Sequence, residues 1–316
     1  MGTSGAEREI AIVGGGSIGV GFAIVFARAG RRVKIYDASP QRRDAIADEI
    51  GARLSDLREY GLIEETNDAV LARVEVCADL AHAVANASLV QECAPEQREL
   101  KARLFADLDR LAPADAILAS ASSALVTSSF AQTLAGRARC LVAHPGNPPY
   151  LIPVIEIVPA PFTDRAVVER ALACYEAAGM SAVRVEKEIE GFVFNRLQGA
   201  VLREAWCLVR DGVACVDDID RVVRDGLGLR WSVIGPFETS DLNVRGGIEA
   251  HAARMGAAYE RMGASRGQSD PWTPELVSEV NGQRRALLPI ERWEERVRWR
   301  DRELMRAMAS RAAKRS

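Results

Sequence analysis

The sequence has 316 residues, of which 48% are hydrophobic and 27% charged, and its formal net charge is −3. A length of this order predicts two domains, and the composition excludes a mainly disordered chain, a fibrous repeat and a membrane bundle. The small negative charge gives no global basic field, so we expect neither nucleic acid nor a membrane as a partner.

The first part of the chain alternates short β-branched runs with helical stretches. Strands are predicted at residues 10–13, 33–36, 74–76, 88–91, 116–119, 140–143, 154–158 and 182–185. Helices are predicted at residues 18–29, 40–60, 80–87, 96–111 and 163–179, the second of them opened by Ser39 as N-cap and Pro40. This alternation predicts an α/β, doubly wound Rossmann-like domain with a mostly parallel sheet, which binds its ligand at the carboxyl ends of the strands.

The character of the sequence changes after about Glu190. Residues 192–210, 216–224, 248–262 and 284–313 have a helical period, and no convincing strand remains. We therefore predict a first domain over residues 1–188 and an all-helical second domain over residues 189–316.

The six cysteines lie far apart, with no C-x-x-C pair. In a chain of this length, that spacing is typical of free thiols in a reducing compartment. The first eight residues form a short, polar segment of mixed charge, which does not resemble a targeting signal. We therefore expect a cytoplasmic protein, and we expect no metal site.

A glycine-rich segment, Gly14-Gly-Gly-Ser-Ile-Gly19, lies between the first predicted strand and the first predicted helix. This context is the one that the dinucleotide-binding pattern G-x-G-x-x-G requires. Gly14 permits the tight turn, Gly16 lets the backbone approach a pyrophosphate, and Gly19 allows close packing of helix on strand. The helix N-terminus, at Ser17 and Ile18, offers free N–H groups to the phosphates.

Asp37 ends the second predicted strand, eighteen residues beyond Gly19. A carboxylate there accepts hydrogen bonds from the ribose hydroxyls and repels a 2′-phosphate. Arg42 and Arg43 fall in the helix after Pro40, and we expect them to lie away from the strand tip. The sequence therefore favours NAD over NADP, with FAD as the main rival cofactor.

One of the three histidines, His144, ends a predicted strand at the edge of the sheet where the ligand binds. Twelve residues later, Glu156 interrupts an apolar strand, and a buried carboxylate needs a hydrogen-bond partner. An N–H of the His144 imidazole would supply one, and the pairing would suit the other ring nitrogen to act as a general base. The alternative is a structural histidine and an edge-strand glutamate; His82 and His251 are interpreted as ordinary residues.

Longer segments carry a family resemblance over nearly the whole chain. They are Gly14-Gly-Gly-Ser-Ile-Gly19, Gln91-Glu-Cys-Ala-Pro-Glu96, Ser122-Ser123, Ala143-His-Pro-Gly-Asn-Pro-Pro-Tyr150, Glu190-Gly-Phe-Val-Phe-Asn-Arg-Leu197 and Gly226-Leu-Gly-Leu-Arg230. In this order and spacing they resemble the 3-hydroxyacyl-CoA dehydrogenase superfamily. Segments 144–150 and 226–230 are most similar to its lambda-crystallin group, which includes L-gulonate 3-dehydrogenases.

The resemblance implies a role for each matching residue. It implies that residues 1–188 form an NAD-binding Rossmann domain and that residues 189–316 bind substrate and form a homodimer. The implied catalytic set is His144, Glu156, Ser123 and Asn195, with the last two also binding substrate, and Glu96 and Lys101 match positions on the nicotinamide side of NAD.

The segment after the histidine bears on the substrate. Fatty-acyl-CoA relatives have a His-Phe-Phe-Asn-Pro pattern, whereas this chain has His-Pro-Gly-Asn-Pro-Pro-Tyr. The departure favours a small, polar 3-hydroxy acid, with Arg230 as a clamp for its carboxylate or, alternatively, as a surface or interface arginine. Gly146 stands where the lambda-crystallin group usually has a larger apolar residue, and we expect an enlarged or reshaped pocket.

L-Gulonate is the nearest-relative expectation for the substrate, with 3-dehydro-L-gulonate as the product. L-Carnitine or a short-chain 3-hydroxyacyl-CoA are alternatives, and a carnitine site would need an aromatic or acidic cage to which Trp231, Tyr150 and Phe237 are candidates. A non-catalytic, crystallin-like NAD-binding protein is a third possibility, although such a role places no demand on the four catalytic residues.

Overall fold

A computed structural model of the protein describes residues 8–268, 273–297, 299 and 310. The chain divides into two units, Met1–Val201 and Leu202–Ser316. The division falls inside helix α8 (Phe194–Arg210), so this helix begins in the first unit and ends in the second.

The first unit is built on an eight-stranded sheet with the order β3-β2-β1-β4-β5-β6-β7-β8. Neighbouring strands are parallel except for β6 and β7, which are antiparallel. The strands are β1 (Glu9–Val13), β2 (Val33–Tyr36), β3 (Val74–Cys77), β4 (Ala87–Glu92), β5 (Ile117–Ser120), β6 (Cys140–Pro145), β7 (Val154–Pro159) and β8 (Ser181–Arg184). The predicted doubly wound, mostly parallel sheet is thus confirmed.

Both faces of the sheet are buried. Side chains alternate between the faces along a strand, so Ile10 and Ile12 of β1 pack in one apolar core with Phe22. Ala11 and Val13 pack in a second core on the opposite face with Phe105. Since helices cover both faces, the carboxyl ends of the strands are the open edge at which a ligand binds.

Seven helices are described between the strands of the first unit. They are α1 (Ser17–Arg28), α2 (Pro40–Glu59), α3 (Asn67–Leu71), α4 (Leu80–Val84), α5 (Arg98–Leu111), α6 (Ser128–Ala131) and α7 (Arg165–Ala177). Helix α2 begins as predicted, because Ser39 Oγ accepts a hydrogen bond from Arg42 N at 3.3 Å and Pro40 follows it. Helices α3 and α6 were not predicted, because they are too short to show a helical period.

The second unit, as far as it is described, is helical. After α8 come α9 (Val216–Arg221), a π-helical turn (Val222–Leu227), α10 (Gly228–Trp231), α11 (Pro236–Asn243), α12 (Gly247–Ala264) and α13 (Pro274–Leu287). In the described residues, no helix is long and apolar enough to cross a membrane.

The single helix predicted over residues 284–313 is wrong in its described part. Helix α13 ends at Leu287, and Leu288 is extended, with φ −143° and ψ 101°. Pro289 follows, and a residue before proline is driven out of the helical region because of steric clash. The rest of the predicted helix falls largely on residues 298, 300–309 and 311–313, which lie outside the described residues.

All six cysteines are free. Burial raises the pKa of Cys140 to about 12, so its thiolate is scarce near neutral pH. Burial likewise raises the pKa of the Cys93 thiol, next to the glycine-rich loop, well above its ordinary value. These two buried thiols therefore act as small apolar side chains.

Candidate active site

The glycine-rich loop connects β1 to α1, and its glycines meet different surroundings. Gly14 has φ 107°, and a Cβ there would lie 2.7 Å from the carbonyl carbon of Cys93. A Cβ on Gly19 would lie 1.9 Å from Gly14 O, whereas a Cβ on Gly16 would meet nothing within 4 Å. Gly14 and Gly19 are thus required by the protein itself, while Gly16 borders open space, and its contact with a pyrophosphate stays a prediction.

Asp37, directly after β2, holds this loop. Its Oδ2 accepts a hydrogen bond from Gly15 N at 2.7 Å, and its Oδ1 accepts one from Ser39 N at 2.9 Å. Each carboxylate oxygen has a further lone pair, so Asp37 remains able to accept hydrogen bonds from ribose hydroxyls beside the loop.

Arg42 and Arg43 do reach the strand tip, contrary to our expectation. Both lie in the first turn of α2, as predicted, but Arg42 Nε donates to Gly15 O and Arg43 Nη1 donates to Asp37 O at 2.7 Å. Their long side chains extend back from the helix to these loop carbonyls. The preference for NAD therefore rests on Asp37, since the two arginines already serve the loop.

A third arginine of α2, which was not predicted from the sequence, holds the start of α1. Arg53 donates to Ser17 O and to Ser17 Oγ, each at 3.1 Å. Glu49 forms ion pairs with both Arg53 and Arg42. The three side chains thus clamp the loop from the side of α2, and only the i,i+4 spacing of Glu49 and Arg53 hinted at this in the sequence.

Helix α1 also packs directly against the segment after His144. A Cβ on Gly21 would lie 2.9 Å from Pro149 Cδ, and the Arg53 guanidinium lies 5.6 Å from the centre of the Tyr150 ring. The segment that connects β6 to β7 therefore packs against α1, the helix that follows the glycine-rich loop. This contact fixes the position of the predicted catalytic strand relative to the predicted cofactor loop.

His144 and Glu156 face each other across β6 and β7. They are register partners in the antiparallel pair, and His144 Nδ1 lies 2.8 Å from Glu156 Oε2. Both side chains are buried. An ionised carboxylate only accepts hydrogen bonds, so Nδ1 carries the proton and Nε2 has its lone pair free. The predicted hydrogen bond is confirmed, and Nε2 has no hydrogen-bond partner among the described residues.

The other oxygen of Glu156 binds the start of α8. Glu156 Oε1 accepts hydrogen bonds from Val193 N at 2.7 Å and from Phe194 N at 3.0 Å. These two backbone hydrogen bonds fix the carboxylate at the start of the helix. These donors were not predictable from the sequence, because they lie 37 and 38 residues away along the chain.

A left-handed residue turns these two N–H groups towards Glu156. Phe192 has φ 48°, an unusual backbone conformation for a bulky residue, and Gly191 before it has φ 75°. The Phe192 ring is fully buried, and its centre lies 5.4 Å from that of the His144 imidazole. Such strain persists where the surroundings enforce it, and it is common at functional sites.

Glu96 shapes the loop that carries Ser123. Its carboxylate accepts hydrogen bonds from Ser123 N at 3.0 Å, Ala124 N at 3.1 Å and Leu125 N at 2.9 Å, and from the Ser122 hydroxyl. Burial by itself raises the pKa of Glu96, but the four hydrogen bonds together outweigh burial and lower the pKa below its ordinary value. Glu96 is therefore an anion that organises this loop, and its contact with NAD stays a prediction.

Asn195 joins this loop to α8. Its Nδ2 donates to Ser123 O at 3.0 Å. Asn195 directly follows Phe194, whose N–H binds Glu156. The structure thus brings Ser123 and Asn195 together, and it connects them through two successive residues of α8 to the pair of Glu156 and His144.

Lys101 lies in a buried ion pair that the sequence analysis did not find. Its Nζ lies 2.9 Å and 2.8 Å from the two carboxylate oxygens of Glu92, and 3.3 Å from Ala94 O and Ser120 Oγ. The side chains of Lys101 and Glu92 are 1% and 0% exposed. The pair ties the carboxyl ends of β4 and β5 together, and binding of NAD by Lys101 stays a prediction.

Two predicted substrate features lie in different surroundings. A Cβ on Gly146 would lie 2.4 Å from Ile152 Cγ2, so Ile152 fills the space and the expected enlargement of the pocket is wrong.

Arg230 lies in α10, in the second unit, and its Nε is buried without a hydrogen-bond partner among the described residues. The guanidinium therefore retains capacity to bind an anion.

Comparisons with known proteins identify the family of this chain. The family model of the 3-hydroxyacyl-CoA dehydrogenase NAD binding domain matches residues 9–189, and that of the C-terminal domain matches residues 191–287. Lambda-crystallin of Oryctolagus cuniculus is 39% identical over 302 residues, which are 94% of each chain.

Two further relatives are named as dehydrogenases. The L-carnitine dehydrogenase of Streptomyces coelicolor is 39% identical over 277 residues, 86% of this chain and 84% of that protein. The structure of the NAD⁺-dependent 5-formyl-3-hydroxy-2-methylpyridine 4-carboxylic acid 5-dehydrogenase has a TM-score of 0.71 at 29% identity, covering 90% of this chain and 97% of that one. This chain belongs to the 3-hydroxyacyl-CoA dehydrogenase family and is an NAD-dependent oxidoreductase.

Proposed function

We propose that this protein oxidises the 3-hydroxyl of a small, polar 3-hydroxy acid, and that L-gulonate, oxidised to 3-dehydro-L-gulonate, is the first substrate to test. The observation that carries the proposal is the buried pair of His144 and Glu156, with Nε2 of the imidazole free to accept a proton. The chain's membership of an NAD-dependent dehydrogenase family supplies the reaction class.

In this proposal His144 is the general base. Nε2 takes the proton of the 3-hydroxyl, and Nδ1–H stays hydrogen-bonded to Glu156. Glu156, held by Val193 N and Phe194 N, stabilises the imidazolium that forms. The glycine-rich loop and Asp37 would hold NAD, which would supply the acceptor for the hydride of C3. In the reverse direction the imidazolium returns its proton to the ketone oxygen.

Ser123 and Asn195 hold the substrate oxygen and its neighbours. Glu96 fixes the backbone of the Ser123 loop, and Asn195 Nδ2 fixes its carbonyl. These contacts order the loop before substrate arrives, which reduces the entropy lost when the reacting atoms are aligned. The Ser123 hydroxyl and the Asn195 amide oxygen then serve as substrate contacts.

The preference for a free acid over an acyl-CoA rests on two features. The segment after His144 lacks the aromatic pair of the fatty-acyl-CoA pattern. Arg230, whose buried Nε has no hydrogen-bond partner in the part of the chain that the structure describes, is suited to a bidentate contact with a carboxylate. We assign the clamp to Arg230, and its substitution by Lys would retain the charge without the two-pronged geometry.

L-Carnitine is the second candidate, because this chain is 39% identical to both the L-carnitine dehydrogenase and the lambda-crystallin reported above. A quaternary ammonium needs the open faces of aromatic rings. Tyr150 already carries the Arg53 guanidinium at 5.6 Å, which reduces its suitability, whereas Trp231 and Phe237 in the second unit are exposed.

The test is NADH formation with L-gulonate, L-carnitine and 3-hydroxybutyryl-CoA, each with NAD and with NADP. We expect turnover of L-gulonate with NAD and its loss in His144→Ala. Turnover of another substrate with the same dependence on His144 would retain the base and reject the proposed substrate. No turnover on any of the three, with NAD still bound, would favour the non-catalytic alternative.

We also propose that the protein is a homodimer through its helical region, residues 189–316. Helix α8 has no buried residue, and its exposed apolar side chains include Leu202, Trp206 and Val209. Exposed apolar groups of this size on one helix are typical of a surface that a second subunit covers. The free thiols are consistent with our proposal of a cytoplasmic location.

A further inference from the structure

Three side chains of metal-ligating type meet away from the proposed active site, at β3 and α4. The donor atoms of Glu75, Cys77 and His82 all lie within 4.8 Å of one another. His82 Nε2 is 2.8 Å from Glu75 Oε1, and Cys77 Sγ is 3.8 Å from the same oxygen. The reaction proposed above uses none of the three residues.

Local structure brings these donors together within eight consecutive residues. Glu75 and Cys77 are two apart in β3, so their side chains leave the same face of the strand. The chain then turns into α4, where Asp79 is the N-cap and accepts a hydrogen bond from His82 N at 2.8 Å. This cap holds His82 in the first turn, with its imidazole beside Glu75.

We propose that Glu75, Cys77 and His82 form a binding site for a divalent transition metal, with Zn²⁺ as the ion that fits the donor set best. Thiolate sulfur, imidazole nitrogen and carboxylate oxygen are the ligands that zinc takes in proteins, and three of them leave a fourth position for water. This proposal differs from our expectation of no metal site, which followed from the lack of a C-x-x-C pair in the sequence.

The distances suit a tetrahedral ion. With Zn–S of about 2.3 Å and Zn–N or Zn–O of about 2.0–2.2 Å, neighbouring donors are about 3.3–3.6 Å apart. The two separations from Glu75 Oε1, 2.8 Å and 3.8 Å, lie on either side of that range, and Cys77 Sγ and His82 Nε2 lie within 4.8 Å of each other, so side-chain rotations would bring all three donors onto one ion. On binding, the Cys77 thiol gives its proton to solvent. The proton that His82 Nε2 donates to Glu75 is also released, while Nδ1 takes up a proton from solvent, and the lone pair of Nε2 then binds the metal.

Burial, with the charge of Glu75, raises the pKa of the Cys77 thiol to about 11, so the thiolate forms there only when a bound cation stabilises it. Cys77 is 2% exposed, whereas the side chains of Glu75 and His82 are 54% and 56% exposed. An ion would therefore reach the site from solvent on the side of Glu75 and His82, with the buried thiol as its innermost ligand. The one cation beside Glu75 in the described contacts is Lys34, whose Nζ is 3.9 Å from Glu75 Oε2 but 3.2 Å from Glu9 Oε2. Glu9 thereby offsets the charge of Lys34 and leaves Glu75 available to a metal.

The test uses Co²⁺ as a spectroscopic probe on the full chain, purified without a histidine tag and kept reduced. A thiolate bound to Co²⁺ gives a near-ultraviolet charge-transfer band that aqueous Co²⁺ lacks. We expect this band to saturate at one Co²⁺ per chain and to be removed by one equivalent of Zn²⁺. The readout is independent of dehydrogenase activity, so its failure does not affect the proposed function.

Three variants identify the ligands. Cys77→Ser should abolish the charge-transfer band, and His82→Gln should weaken Co²⁺ binding by more than about 10-fold, because loss of even an outer partner of a metal ligand costs about 10–100-fold. Cys215→Ser is the matched control, since Cys215 is an exposed thiol 3.1 Å from the Asp218 carboxylate, and it should bind Co²⁺ like the original chain.

Several results would overturn the proposal. They are a missing band at saturating Co²⁺, a band that survives Cys77→Ser, and an affinity that His82→Gln leaves unchanged. His82 is exposed, so its variant should fold even if replacement of the buried Cys77 does not. The effect of His82→Gln therefore decides the assignment by itself in that case.

Discussion

Asn195 donates a hydrogen bond from Nδ2 to the backbone oxygen of Ser123 at 3.0 Å. The residue before it, Phe194, donates its backbone N–H to Glu156 at 3.0 Å. The first turn of α8 therefore binds the loop that carries the proposed substrate serine and the carboxylate that orients the proposed base. A change in the position of this turn would affect both halves of the site together.

Removal of either member of the buried pair should reduce catalysis with little effect on binding of the dinucleotide. We expect His144→Ala and Glu156→Ala to lower kcat by about 10²–10⁴-fold, the usual contribution of a positioned acid–base group. Glu169→Ala, which removes a half-exposed carboxylate paired with Arg184, is the control. Steady-state kinetics and NAD binding by fluorescence measure the two effects, and a His144→Ala variant with most of its activity would reject the general base.

The pair of His144 and Glu156 was predictable from the sequence, whereas the two backbone amides that bind Glu156 were not. Each outcome has a physical reason. His144 follows one short apolar run and Glu156 interrupts another, so the pattern of the strands was enough to place them. The amides of Val193 and Phe194 reach Glu156 only because Phe192 adopts a left-handed conformation. No local propensity favours that conformation for phenylalanine, so tertiary packing decides it.

In the rest of the fold, too, features set by the local sequence pattern were predictable, and features set by longer-range contacts or by a single breaking residue were not. The strands were predictable because parallel strands buried on both faces are continuous apolar runs. The end of α13 at Leu287 was missed, because the helical period continues past the residues at which Pro289 breaks the helix. The contacts of Arg42 and Arg43 with the loop were missed because sequence gives the position of a long side chain's backbone, not that of its charged end.

Alanine variants at two glycines of the loop should affect different properties, the affinity for NAD at Gly16 and the stability of the fold at Gly19. In Gly16→Ala the new Cβ meets no protein atom within 4 Å, and φ of −66° is allowed to alanine, so the protein should fold normally. We expect NAD binding to weaken by at least about 10-fold, because the methyl group enters the space that the pyrophosphate needs. Isothermal titration gives the Kd, and thermal unfolding should show an unchanged Tm.

Gly19→Ala is the contrasting variant. Its Cβ would lie 1.9 Å from Gly14 O, so α1 and the loop must separate. Overpacking of this kind costs about 1–3 kcal/mol of unfolding free energy, and Tm should fall. Equal stability of the two variants would contradict the assignment of Gly16 to the ligand and Gly19 to packing.

The buried pair of Lys101 and Glu92 should contribute to the stability of the fold, apart from the predicted contact of Lys101 with NAD. Lys101→Met leaves the Glu92 carboxylate buried without its cation, and breaking such a pair by removing one partner costs about 3–5 kcal/mol. In the double variant Lys101→Met with Glu92→Gln the uncompensated charge is gone, so we expect partial recovery. Urea unfolding measures both, and a Lys101→Met variant of normal stability but weak NAD affinity would instead support a direct contact with the cofactor.

The stability supplied by Glu96 should depend on pH. Its pKa is lowered below the ordinary value of 4.5 in the folded protein, so its stabilising effect is complete above that value and is lost as pH falls through the folded pKa. We therefore expect the original chain to exceed Glu96→Gln in unfolding free energy by about 1 kcal/mol at pH 7, an ordinary value for hydrogen bonds. In urea titrations the difference should shrink below the ordinary pKa, and growth of the difference on acidification would contradict the sign.

Disruption of the exposed apolar face of α8 should yield monomers. Trp206 is 76% exposed, and Leu202 and Val209 on the same helix are also exposed. Trp206→Arg places a charge that a second apolar face would have to desolvate, which opposes association. Tyr60→Arg changes a side chain of similar exposure, 75%, in the first unit and should leave the dimer intact. Light scattering coupled to size exclusion gives the mass of each variant, and a Trp206→Arg variant that stays dimeric would move the interface away from α8.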